Sequence, residues 1–159
     1  MRFCRRLALL ALAPLGFSAC LSEPTRPIGT PIDCATLATS IATATGLTTT
    51  SSGLRFRDQT VGAGTTVAAG QVLSIHYAGC LTSGLLFDQN LDVDPPFVFT
   101  VGTNPLQVIA GFDEGVRGMR VGGRRQLVIP PALGYGQNAA GSIPANSTLV
   151  FTIDAVSVR

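Results

Sequence analysis

One histidine, His76, and four cysteines are the side chains of this 159-residue chain that could serve metal or nucleophilic chemistry. Their spacing does not gather them. A single histidine without a cysteine cluster cannot supply the three or four ligands of a zinc site. Alternation along Leu73 to Leu81 puts His76, Ala78 and Cys80 on one strand face and Ile75, Tyr77 and Leu81 on the other, so His76 reads as structural. What remains is aromatic. Tyr77, Phe97, Phe99 and Phe151 fall on apolar faces, and Phe112 and Val116 lie one helical turn apart in the stretch Gln107 to Val116. A cavity lined by such residues does the chemistry of binding rather than of bond making. On residue pattern alone, Phe97, Phe99 and Phe151 read as core, Tyr77 and Tyr135 as amphipathic surface aromatics and Asp88 as a turn acid.

The elements that must position these residues follow from periodicity. Gln107 to Val116 alone reads as one or two turns of helix, with Asp113 and Glu114 where a first turn favours negative charge and Gly118 able to end it in a left-handed conformation. So short a helix cannot stand alone and must be held by a sheet, leaving room for a small apolar cavity where its apolar start meets that sheet. The surroundings alternate as strands do: Leu54 with Phe56, Leu73 with Ile75 and Tyr77, Phe97 with Phe99 and Val101, Leu127 with Ile129, and Leu149 with Phe151, Ile153 and Ala155. Val61 to Gly64 and Thr82 to Gly84 read as turns. The fold class expected is α+β, an antiparallel β-sheet wrapped around one short α-helix.

Composition narrows the class. Charged residues make up only 13% and there are 18 glycines, which suits a compact strand-rich fold and argues against disorder. Every cationic side chain is an arginine. Residues 1–19 read as an export signal: Arg2, Arg5 and Arg6 open it, and Leu7 to Phe17 is an apolar run too short to span a bilayer. Phe17-Ser18-Ala19-Cys20 resembles a bacterial lipobox, which implies lipidation at Cys20, and Leu21 after it implies the outer membrane; an ordinary secretory signal is the alternative. Cleavage there leaves eight arginines against nine carboxylates, so no basic patch suggests nucleic acid.

Residues 20–49 form the second unit, an acylated cysteine, a spacer and a short N-terminal segment. Leu21 to Pro31, with Pro24, Pro27 and Pro31, reads as an extended spacer. Asp33 can cap a helix from Cys34 to about Thr45 with Cys34, Leu37, Ala38 and Ile41 on one stripe. With Cys4 cleaved away and Cys20 acylated, Cys34 and Cys80 remain, either disulfide-bonded or as two unpaired buried thiols.

Six motifs then fall in an order that resembles the FKBP-type peptidyl-prolyl cis-trans isomerases: Val72 to Gly79, Gly84 to Asp88, Val108 to Gly115, Met119 to Gly123, Leu133 to Gly136, and Ile143 to Phe151. The resemblance covers about residues 52–159, within a third unit at 50–159. It implies an isomerase that needs no cofactor or metal and acts on proline-containing peptides and unfolded exported proteins. A macrolide such as tacrolimus is the further implied ligand. Tyr77, Phe97, Val108, Phe112 and Phe151 would line the proline pocket with Phe112 as its floor. Ile109 would offer its backbone N–H, Tyr135 its hydroxyl and Asp88 a carboxylate near Tyr77, while Phe87, Phe99 and Ile143 would complete the rim or its support. No long helical arm of the kind that dimerises some bacterial members precedes residue 50, so a monomer is implied. A lipid-anchored enzyme of the periplasm is the leading expectation, and a non-catalytic peptide-binding or chaperone module of the envelope is the runner-up.

Three positions depart from the family pattern. Val93 stands where members often place an arginine near Asp88, Phe112 replaces a common tryptophan, and the Gln137 to Ser142 loop is about a residue shorter, with small or polar side chains. A smaller pocket floor, an altered peptide preference and weaker macrolide binding follow. Asn146-Ser147-Thr148 matches a glycosylation acceptor, a motif that a bacterial lipoprotein rarely uses.

Overall fold

A computed structural model describes residues 32–42, 45–91 and 95–159. The signal at 1–19, the lipobox with Cys20, the spacer Leu21 to Pro31 and the Val93 substitution lie outside the described residues. The strands are β1 (Thr48–Thr49), β2 (Arg55–Thr60), β3 (Val72–Leu81), β4 (Leu86–Asn90), β5 (Phe97–Thr100), β6 (Arg124–Ile129) and β7 (Leu149–Val158), all paired antiparallel. They form a seven-stranded sheet in the order β1-β2-β6-β7-β3-β4, with β5 also on β3. Helix α1 spans Cys34–Ala42, α2 spans Ala110–Val116, and a 3-10 turn follows β6 at Pro131–Leu133.

The ten-residue β3 is the organising strand. One edge pairs along its length with β7, while the other is shared: β5 takes Val72 to Ile75 and β4 takes Tyr77 to Cys80. The period-2 alternation divides the molecule into two layers. Leu73, Ile75, Leu81, Leu127, Ile129, Phe151 and Ile153 face α2 and form the main core with Phe112 and Val116. Cys80, Val128 and Val150 face the opposite way and meet Cys34, Leu37 and Ile41 of α1.

Helix α1 starts where Asp33 accepts a hydrogen bond from the Ala35 amide at 3.0 Å, as an N-cap side chain does. Its threonines disfavour helix intrinsically, and burial of the Cys34, Leu37 and Ile41 stripe against the sheet overrides that preference. A disulfide joins Cys34 to Cys80 with their Cα atoms 5.6 Å apart, pinning α1 to the outer face of β3 near its C-terminal end.

Helix α2 has seven residues and no side-chain cap at Ile109, so packing must hold it. Gly111 and Gly115, one turn apart, face β6: a Cβ at Gly115 would lie 2.4 Å from Leu127 Cδ1, and one at Gly111 2.5 Å from Ile129 Cγ2. Without side chains there, the helix backbone settles directly onto the strand. Its C-terminal end is held by Arg125, which is buried and donates to the carbonyls of Gly115 at 2.9 Å and Arg117 at 3.0 Å. The same guanidinium pairs bidentately with Asp58 at 2.7 and 3.0 Å and lies 4.4 Å from the centre of the Phe56 ring. Gly118 then takes φ of 75° and leads the chain away.

Candidate active site

The start of α2 and the inner face of the sheet enclose a cavity of about 220 Å³. Phe112 forms its floor, 5% exposed, because it sits on the first turn of a helix pressed onto β6 and β7. Its ring meets Phe151 edge-on at 5.0 Å between centroids and Tyr77 at 5.9 Å. Phe97 closes one wall against Tyr77 at 5.7 Å, and Phe87 the other against Phe151 at 5.5 Å. Edge-to-face contacts of this kind add to area burial and hold each ring in a defined orientation. Val108 and Ile109 line the lip where the chain enters α2.

Polar groups converge on this apolar cup at three points. The Tyr77 hydroxyl donates to Asp88 Oδ2 at 2.7 Å. Burial, and then the hydrogen bond to Asp88, push the Tyr77 phenol well above its ordinary pKa. Tyr135 stands at the mouth, 41% exposed, its hydroxyl without a partner among the described residues. The Ile109 amide also donates to no group among the described residues, while the Ile109 carbonyl already accepts from Phe112 and Asp113 at 3.0 and 3.1 Å. A backbone donor, a phenolic donor and a carboxylate thus surround an aromatic hollow.

Tyr77, Phe87, Asp88, Phe97, Val108, Ile109, Phe112, Tyr135 and Phe151 all line the one cavity. Phe99 and Ile143, expected to complete the rim or its support, do not line it. Phe99 is 4% exposed and lies behind the floor, 6.0 Å from Phe112 and stacked on Phe97 at 5.9 Å. Ile143 is buried in the main core after a tight turn in which it and Ala140 exchange backbone hydrogen bonds at 2.9 Å. Both support the site from beneath. Alternation identified the face of Phe99 and motif order singled out Ile143; neither carries information about depth.

Gln107 is a lining residue that pattern reading missed. Its Oε1 accepts the Thr100 amide at 2.7 Å and ties the loop before α2 to the end of β5. No periodicity distinguishes such a glutamine. Asp113, a first-turn acid by sequence, is 2% exposed, accepts the Gly102 amide at 2.7 Å and pairs with Arg117. Gly79 had a signal, a glycine inside a strand. A Cβ there would lie 2.7 Å from both Phe151 Cε1 and Phe87 Cζ, so its absence lets the two rings meet.

With this geometry in hand, likeness to known proteins is specific. A family model described as FKBP-type peptidyl-prolyl cis-trans isomerase matches residues 64–156. The FK506-binding protein 1A of Neurospora crassa is 46% identical over 109 residues, 67% of this chain and 89% of that protein. The FKBP-type peptidyl-prolyl cis-trans isomerase FkpA of Aeromonas hydrophila is 38% identical over 114 residues, 72% of this chain and 41% of the relative. Of several curated relatives it matches, including two of which it covers 28% and 44%, the chain spans less than half the length. Among solved structures, FkpA from Escherichia coli superposes with a TM-score of 0.67 at 33% identity, covering 77% of this chain and 55% of the other.

Proposed function

The chain belongs to the family of FKBP-type peptidyl-prolyl cis-trans isomerases, and from that premise we propose that it accelerates rotation about X-Pro bonds in exported proteins. The observation that carries this reading is the open cup floored by Phe112, with the Ile109 N–H and the Tyr135 hydroxyl unpaired at its mouth. A pyrrolidine ring suits the hollow in size and polarity.

Rotation of a peptide bond must overcome about 18 to 20 kcal/mol, most of it amide resonance. Water stabilises the dipolar resonance form, so transfer of the carbonyl that precedes proline to an aromatic enclosure weakens the bond's double-bond character. The twisted amide must be bound more tightly than either planar isomer for rate to rise. The Ile109 amide and the Tyr135 hydroxyl are donors suited to substrate carbonyls, fixing the flanking peptide while the bond turns. Asp88, oriented by Tyr77, adds a fixed carboxylate to the cavity wall. No bond to the protein forms and no proton leaves.

Family names such as FK506-binding protein 1A support a macrolide as a second ligand of this cavity. The composition of residues 1–20 supports export and acylation of Cys20, Leu21 after it supports anchorage at the outer membrane of a bacterium with the periplasm as workplace, and the short segment before residue 50 supports a monomer as working unit. Mass spectrometry of the mature N-terminus tests the lipid.

Exchange between cis and trans prolyl peptides, followed by NMR with the full chain in detergent, tests the activity. Phe112→Ala is expected to lower kcat/KM at least tenfold and Tyr135→Phe several-fold. Peptide binding without any acceleration would replace the enzyme with a peptide-binding or chaperone module built on the same groove.

A further inference from the structure

The cavity carries a marked charge asymmetry. Of the residues that line it, Asp88 alone is charged, and it is exposed at the rim. Its Oδ2 accepts the Tyr77 hydroxyl, whereas Oδ1 has no partner among the described residues. No arginine among the described residues pairs with it. Arg117, Arg124 and Arg125 are held by Asp113, Asp154 and Asp58, and Arg57 donates to Gln126 at 2.7 Å. Residues 58–116 and 126–158, which supply every lining residue, contain neither lysine nor arginine. The same segments contain Asp92 and Asp94, which follow Asp88 in the chain.

A fixed carboxylate beside an apolar wall, with no cation among the described residues paired to it, biases which charged groups approach. Resting on the isomerase reading, we propose that Asp88 makes this site selective for peptides carrying arginine or lysine next to the proline, and that it disfavours aspartate or glutamate there. The free Oδ1 accepts the incoming guanidinium or ammonium, while the Tyr77 hydroxyl keeps the carboxylate from turning away. Because the pair forms at an exposed rim, each arm of the preference is modest and screened by salt.

The test uses the full chain in detergent and three proline peptides, identical except for arginine, leucine or glutamate before the proline. Cis-trans exchange is read by NMR, without a coupling protease whose own specificity would interfere, and equilibrium binding is measured alongside. The expected kcat/KM ratio of the arginine over the glutamate peptide is about fivefold. Asp88→Asn keeps an acceptor for Tyr77 and should bring the ratio below about twofold, Asp88→Glu should retain it, and 1 M salt should collapse it in the native chain. A native ratio near one, or a ratio that persists in Asp88→Asn or in high salt, overturns the selectivity. Absence of turnover for all three peptides defeats the isomerase reading instead, and the ratio of their binding constants then decides the selectivity on its own.

Discussion

Burial and the neighbouring carboxylate hold Tyr77 as a neutral phenol, and that determines how its hydrogen bond to Asp88 responds to pH. The folded pKa lies above the unfolded value, so whatever stability this bond contributes is complete below the ordinary phenol pKa of about 10. It is lost as pH rises beyond that toward the raised folded value. In a spectrophotometric titration, Tyr77 should therefore remain un-ionised at pH 10, and Asp88→Asn should shift its ionisation to lower pH. The rate of prolyl exchange should be nearly flat from pH 6 to 8, since rotation moves no proton and His76 lies on the far sheet face with Nδ1 3.0 Å from the Asn90 carbonyl. A bell-shaped profile would sink the rotation mechanism.

Helix α2 shows how an element too short to be stable is made rigid enough to carry a site. Its floor residue is positioned by what surrounds it: two glycines against β6, Asp113 bound to the Gly102 amide, and Arg125 across the last carbonyls. Replacing Arg125 with methionine leaves Asp58 unpaired and frees the helix end, a loss of about 3 kcal/mol in chemical denaturation. Arg125→Lys should not restore it, because an ammonium cannot bridge a carboxylate and two carbonyls with the fork geometry of the guanidinium. Gly115→Ala forces a methyl into Leu127, and overpacking of this sort costs about 1 to 3 kcal/mol. Lifting the helix also moves Phe112, so a fall in kcat/KM should accompany the lower denaturation midpoint. Unchanged stability in Gly115→Ala would show that α2 does not depend on that close approach.

At the scale of the molecule, the sheet separates two jobs. One face builds the aromatic cup around α2, while the other receives α1 through a small apolar cluster and the Cys34–Cys80 disulfide. The bridge spans 46 residues of chain, and by loss of unfolded-state entropy it should contribute about 4 kcal/mol. The double variant Cys34→Ser with Cys80→Ser should lower the denaturation free energy by that order, and reduction of the native chain should act in the same direction. Because the bridge lies on the face away from the cavity, folded double variant should keep kcat/KM within about twofold. A large loss of activity without unfolding would mean that α1 governs the cup as well as the stability.

Local rules reach some of this arrangement and stop short of the rest. Alternation along β3 separates Tyr77 from Cys80, the stripe of Cys34, Leu37 and Ile41 marks the buried side of α1, and motif order identifies the family and most of the residues that meet in the cavity. Those features depend on backbone periodicity and spacing, which a linear text carries in full. Depth is different. Phe97 and Phe99 share one face of one strand, yet Phe97 borders the hollow and Phe99 lies beneath it, because the distance from the rim depends on where α2 comes to rest. The bare backbone of Gly79 beneath two rings, the reach of Gln107 to Thr100 and the many partners of Arg125 likewise arise between segments distant in sequence. Only packing in three dimensions decides them, since each depends on what another part of the chain leaves open.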